Sequence, residues 1–338
     1  MGDTKTPLNV NDSDLFPGMK EFPKEHQGAT EMMFFLIRCS VGMFLKRNLP
    51  TPSLFDGMWN KLTTSMVPLD SKDLELEDLE TMFRTKYLAG FDSAIPWHFM
   101  CNHAAKAIIA VMRLVAHSAK YREVDPADIP PAEKDLLLDL SLEVVTLQNY
   151  AYTTKEMKGF IWHINAHFQW KAFICLVGLL CYHTATPKID IAWQQIKLVY
   201  DFHPNFAKEE ARRALPVAVG TLTLKAWEAY IAARGVPDCG EPFYIKILRN
   251  QRTKASNTHR KESSPPTLPQ PHVLETNSAD PNTGIGACTT SVDPSVGMEW
   301  DASFMTQLDQ MQLPIFSWDN LQHMEWAEWD NLLMDFQG

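Results

Sequence analysis

The sequence predicts an all-α protein: an irregular multi-helix body, a disordered linker, and an acidic, aromatic C-terminal segment. Three observations carry this. Apolar residues recur at helical spacing from Gly28 to about Arg249. No alternating strand of useful length occurs, and no two strands are joined by a two-residue glycine turn. Self-similarity at a fixed period is absent, which argues against a regular solenoid.

Each element has its own local signals. Met1–Gln27 holds turn chemistry (LNVNDSDLFPGMKEFP) and few periodic positions, so it reads as an extended, partly docked segment. Thr30–Lys46 opens on a good cap residue with an acid in its first turn. Helices over Leu54–Val67 and Asp73–Leu88 follow, with Gly90 as the stop of the second. Pro96 sits where a first helical turn tolerates proline, and the apolar pattern then runs to about His117. Pro130 and Pro131 open a helix reaching about Tyr152. One helix is expected over Lys155–Tyr182, another over Ile189–Tyr200, and two more over Ala207–Arg234. Pro242–Arg249 adds a last turn or two.

Composition changes after Arg249. Residues 250–297 are rich in Ser, Thr, Pro, Asn and Gly and nearly free of large apolar side chains, so ordering them would cost more than their burial could return. Residues 298–338 differ again, with four of the ten tryptophans, three phenylalanines and eight acids in 41 residues. The expected organisation is a helical body over 1–249, a linker with a basic start over 250–297, and an acidic-aromatic tail over 298–338.

The charge is placed unevenly. The 338 residues carry a net charge of −10, which excludes a generally basic nucleic-acid binder. Residues 1–261 hold all 31 Lys and Arg against 29 acids, while residues 262–338 hold 12 acids and no basic side chain. The acidity therefore belongs to the tail. Six cysteines lie at wide, irregular spacings without a C-x-x-C pair, which argues against a structural zinc module and for a reducing compartment. Met1–Lys20 is polar and acidic, unlike a secretory leader. The longest apolar run, Phe173–Tyr182, is about half the length of a bilayer span. A soluble, intracellular protein is expected.

Several constellations could carry chemistry. In the tail, Trp326, Trp329, Leu333 and Phe336 follow helical spacing, with Trp318 a little upstream. Repelling acids keep such a segment solvated while its aromatic side chains stay available as anchors, which is how many transcriptional activation segments work. The alternative is a terminal helix that packs back on the body and shields an apolar groove. Arg249, Arg252, Lys254, Arg260 and Lys261 form a basic cluster suited to nuclear import, or simply to solubilising a helix end. His163 and His167 lie four apart on one helical face, a spacing that can hold a metal. No Glu follows the first, and both flanks are aromatic, so core histidines are the preferred reading and no metal is assigned. His98 and His103 are five apart and share a face poorly.

No catalytic pattern emerges. The sequence has no Gly-rich phosphate loop, no G-x-S-x-G elbow and no carboxylate pair spaced for acid/base work. The acids of Asp70–Glu80 alternate with leucines, as on a solvated helix face. Leu176–Leu180 (LVGLL) matches a recruitment pattern formally, yet it lies in the most apolar run and reads as core.

Several stretches resemble the fungal-specific transcription factor family, the helical regulatory domain found behind an N-terminal zinc binuclear cluster. They are PLNVNDSDLFPGM with GATEMMFFLIRC, KYLAGFDSAIPWHFM with AVMRLVAH, GFIWHINAHFQWKAF, IAWQQIKLVYDFHP, AVGTLTLKAWEAY, and the tail phrase EWAEWDNLLMDF. Together they cover most of residues 7–250 and the extreme C-terminus. These 338 residues contain no counterpart of the zinc cluster or of the opening of the regulatory domain, so no DNA-reading residue is carried over. The resemblance implies a nuclear regulator or co-regulator, of the kind that serves fungal secondary-metabolite gene clusters. It would work without its own DNA grip, docking on a DNA-bound transcription factor, paralogues included, and recruiting transcription machinery through the tail. DNA contact would be indirect, and no membrane, cofactor or enzymatic activity is expected. The rivals are a helical enzyme or small-molecule binder with a pocket around His98, His163 and His167, and a dominant-negative or non-functional regulator fragment.

Overall fold

The structure, a computed structural model, describes residues 5–46, 58–121, 124–207, 214–235 and 240–262. Every regular element among them is helical, as the sequence predicts. In chain order the α-helices are α1 (Met33–Lys46), α2 (Met58–Thr63), α3 (Leu69–Met82), α4 (Pro96–Ser118), α5 (Pro131–Thr153), α6 (Ile161–Ala166), α7 (Trp170–Leu180), α8 (Ile189–Phe202), α9 (Ala214–Arg234) and α10 (Phe243–Glu262).

The segment before α1 is extended and docked, with a single 3₁₀ turn at Asp12–Asp14. Asn9 is its anchor. Buried, it donates Nδ2 to the carbonyls of His26 (2.8 Å) and Gly28 (3.0 Å) and accepts the Thr30 hydroxyl at 2.6 Å. Thr30 in turn takes the Met32 N–H on its Oγ1 at 3.2 Å, capping the start of α1. Gly28 has φ +98° and crosses the Phe83–Gly90 turn so closely that a Cβ would meet the Ala89 carbonyl oxygen at 2.2 Å. Only glycine meets both demands.

Two hydrophobic clusters share α4 as a spine. The first joins α1, α2, α3 and one side of α4, with Met33, Ile37, Leu62, Leu76, Phe83 and Cys101 nearly inaccessible. The second joins the other side of α4, through Ala110 and Leu114, to α5, α7, α8, α9 and α10. Burying each large apolar side chain contributes about 1.5–3 kcal/mol, so the second, larger cluster dominates the driving force. Helix α7 is its centre: every residue of it except Lys171 is buried, the LVGLL string included, so that string is core as expected. Tyr200 on α8 stacks on Tyr244 of α10 at 4.6 Å between ring centroids, and its hydroxyl pairs with Thr223 at 3.0 Å. Pro96–Tyr121 is long and apolar enough to cross a bilayer, but its apolar faces are taken up by the two clusters.

Acids of α3 do more than face solvent. Asp73 pairs with His117 (3.1 Å), Glu75 with Lys61 (3.2 Å) and Glu80 with Arg113 (2.6 Å), tying α3 to α2 and α4. Lys72, only 1% exposed, lies on the inner side of the same helix. Its Nζ donates to the carbonyls of Leu62 (2.9 Å), Thr64 (2.6 Å) and Ala116 (3.2 Å). One ammonium thus satisfies carbonyls at the ends of two other helices.

Several element boundaries differ from the sequence reading. The helix expected over Asp73–Leu88 begins already at Leu69 and, past Met82, gives way to a π-helical turn over Phe83–Tyr87. The single helix expected over Lys155–Tyr182 is a 3₁₀ stretch (Lys155–Phe160), then α6, then α7. The break at His167–Gln169 has a visible cause: the Gln169 N–H is taken by the Gln148 side chain on α5 (3.2 Å) and leaves the helical ladder. Helix α9 is continuous over Ala214–Arg234, because Pro216 falls in its first turn, where proline costs no ladder bond. Helix α10 continues to Glu262, so the composition change at Arg249 falls inside a helix. Its residues 250–262 include Gln, Arg, Lys, Ala and Glu and no Gly or Pro, and extending an already nucleated helix is easy.

Candidate functional site

The body holds one cavity with a distinctive chemistry, at the seam between the two clusters. It has a volume of about 290 Å³. Helix α1 contributes Phe34, Arg38 and Val41 at 3.6-residue spacing, which puts them on one face. Helix α4 supplies Met100, His103, Ala104, Ala107, Ile108 and Val111, again a single stripe. Helix α5 adds Val144 and Gln148, while Met157, His163, Ile164, His167 and Gln169 come from the broken segment between α5 and α7. That break is what opens the space, since a continuous helix would carry these side chains elsewhere.

The histidines of the cavity differ in their settings. His163 sits edge-on to Phe34 (5.4 Å between centroids) and to Trp162 (5.6 Å), and lies 4.4 Å from the His167 ring. Burial, reinforced by His167 and the Arg38 charge, pushes its pKa down to about 4. His167 is exposed and directs Nδ1 to the His163 carbonyl at 2.9 Å. His103 is buried, stacks near Phe99, and is also shifted down, by burial first and by Lys106 second. The reading of His163 and His167 as core histidines is met only in part: His163 is half-buried among aromatic rings, whereas His167 is exposed and bonded to the backbone of its own segment. Among the described residues no three His, Cys, Asp or Glu side chains converge as metal ligands would.

The trio His98, His163 and His167 is not brought together. His98 accepts the Asp92 N–H on Nδ1 (3.1 Å) in the turn before α4 and is absent from the cavity wall. His103, one turn further along α4, takes its place. Sequence spacing could not reveal this, because the alignment depends on how α4 crosses α5 and α6.

Two further polar groups were not legible in the sequence. Arg38 lies at the rim with its guanidinium 5.8 Å from the Phe34 ring centroid, and it has no carboxylate partner among the described residues. Gln148 is 8% exposed; the Gln169 N–H fixes its Oε1, which leaves Nε2 buried without an acceptor. No acidic side chain lines the cavity.

Of the basic cluster, Arg249 pairs with Glu241 and Arg252 with Glu228 (3.4 Å), so these two brace α10 against its neighbours. The side chains of Lys254, Arg260 and Lys261 lie outside the described residues, as do the tail anchors Trp318, Trp326, Trp329, Leu333 and Phe336.

The chain has fungal relatives. It is 27% identical over 281 residues to the aurofusarin cluster transcription factor of Gibberella zeae, which covers 81% of this chain and 41% of that protein. It is 28% identical over 234 residues to the transcriptional regulator AacuB of Aspergillus aculeatus (67% of this chain, 30% of the relative). It is 25% identical over 260 residues to the pyriculol/pyriculariol biosynthesis cluster transcription factor 1 of Pyricularia oryzae (73% and 34%). The match thus spans 30–41% of the length of these relatives. No family model and no solved structure matches the chain. The relatives are fungal transcription factors, as the resemblance in the sequence implied.

Proposed function

We propose that this chain is a nuclear transcriptional regulator of a fungal secondary-metabolite gene cluster, acting through protein contacts rather than catalysis. The observation that carries the reading is the extended similarity to fungal transcription factors, two of them named for biosynthetic clusters, over 67–81% of the chain. The all-α body is compatible with it. So is the charge distribution, since a near-neutral body and an acidic tail give little attraction to phosphates.

In this reading the body docks on a DNA-bound regulator, a paralogue included, and the tail recruits transcription machinery. Trp318, Trp326, Trp329, Leu333 and Phe336 supply the anchors, and a few buried aromatic side chains can carry most of such an affinity. The ordering cost of the segment offsets part of the gain and keeps the contact reversible. The basic cluster of Arg249, Arg252, Lys254, Arg260 and Lys261 serves nuclear import.

Gene deletion in the native host with transcript profiling tests the reading. The expected result is a coordinate fall in a contiguous set of biosynthetic genes, restored by the wild-type gene. An unchanged transcript profile contradicts it, and a rise in the same genes points to an inhibitor that sequesters its partner.

A further inference from the structure

We propose that the cavity between α1, α4, α5 and the Lys155–Gln169 segment is a binding site for a small aromatic or conjugated molecule bearing a carbonyl, phenolic or carboxylate oxygen.

Size and lining set the ligand class. A cavity of about 290 Å³ is at the lower end of the range for small-molecule sites, right for a compact molecule of one to three rings. Its walls are mainly apolar, and Met100, Met112 and Met157 supply polarizable sulfur that adapts to flat π-surfaces. Phe34 and His163 stand edge-on to one another and offer an aromatic corner.

Polar groups decide the functional group. Arg38 brings a positive charge to the rim with no carboxylate partner among the described residues. The Gln148 Nε2 in the wall is a donor without an acceptor, a state that costs stability in the empty protein and that a ligand oxygen would relieve. With no acid in the lining, a cationic ligand would meet Arg38 and find no counterion. His163, held neutral near pH 7 by burial, adds no opposing charge. All of this favours an oxygen acceptor, anionic or neutral, on an aromatic frame.

Position gives the site a consequence. Val144 belongs to the larger cluster, while Met100, Met112 and Met157 belong to the smaller one, so an occupant touches both. Binding would stiffen the seam and raise the melting temperature with the logarithm of the ligand concentration once that exceeds Kd.

The test uses the purified full-length chain and two probes with the same ring and opposite charge, 2-naphthoate and 2-naphthylmethylammonium, titrated by calorimetry. Naphthoate is expected to bind one to one, at least about tenfold tighter than the ammonium probe, and to raise the melting temperature. Arg38→Met should weaken naphthoate about tenfold. Gln148→Glu keeps the acceptor for the Gln169 N–H but replaces the Nε2 donor with an acidic oxygen. It should weaken naphthoate about tenfold or more while leaving the ammonium probe no weaker, a split that a purely structural Gln148 would not produce. Ala107→Phe fills the cavity and should abolish binding. Absence of naphthoate binding up to millimolar concentration, equal affinity for both probes, or binding indifferent to Arg38→Met and Gln148→Glu would overturn the proposal, whether or not Ala107→Phe folds.

Discussion

The ammonium of Lys72 on α3 donates to the carbonyl of Ala116 in the last turn of α4, at 3.2 Å, from a position only 1% exposed. Its other two donations, to Leu62 and Thr64, hold the end of α2 to the same point. Three helices are therefore fastened by one side chain that carries a charge where almost none should be. Replacing it with Met of similar length leaves three carbonyls to find other partners. Lys72→Met is expected to lower the unfolding free energy by about 2–4 kcal/mol, read as a shift in the urea midpoint. A loss below about 0.5 kcal/mol would show that water substitutes freely there.

Gly28 offers an independent check on the docked N-terminal segment. An alanine would suffer both the positive φ and a 2.2 Å approach to a backbone carbonyl that cannot swing away. Gly28→Ala should cost about 2–4 kcal/mol and release the Asn9 anchor, seen as faster amide exchange over residues 8–30.

Two neutral histidines make stability depend on acid. His163 and His203 are both held near a pKa of about 4, chiefly by burial, against 6.5 when exposed. Between those values the unfolded chain binds more protons, so their contribution is intact above pH 6.5 and is lost as the pH falls toward 4. His203 stacks on Phe206 and meets Phe168 and Tyr152 edge-on. His203→Phe should therefore flatten the fall of the melting temperature between pH 6.5 and 4. A slope equal to wild type would remove His203 from the account.

Burial also silences thiols. Cys101 and Cys181 are pushed up to about 12, leaving almost no thiolate at pH 8. Site-resolved alkylation should leave both intact in the native protein and modify both in urea. Native labelling at the unfolded rate would contradict the burial of Cys101 and the packing of Cys181 against the larger cluster.

Much of this was legible in the sequence because helical patterning is a local signal. The α7 run FICLVGLLCY reads as core at sight, and Thr30 and Pro96 announce the starts of their helices. The break at His167–Gln169 was not legible, because it depends on Gln148, twenty-one residues away, capturing a backbone N–H. The cavity shares this origin: Arg38, His103 and Gln148 are unremarkable in sequence and acquire meaning only where α1, α4 and α5 meet. Lys72 was hidden for a related reason, since it sits among the acids of α3 and only the packing of α2 and α4 turns it inward. Beyond Arg249, composition alone overlooked how far a nucleated helix extends through good helix formers.

The central claim, that the protein regulates transcription through its acidic-aromatic tail, is tested most directly by tethering. Residues 298–338 are fused to an unrelated DNA-binding domain and reporter output is compared with a fusion in which Trp326, Trp329 and Phe336 are Ala. The account predicts strong output from the first and its collapse in the second. No output from either fusion, or equal output from both, would contradict it.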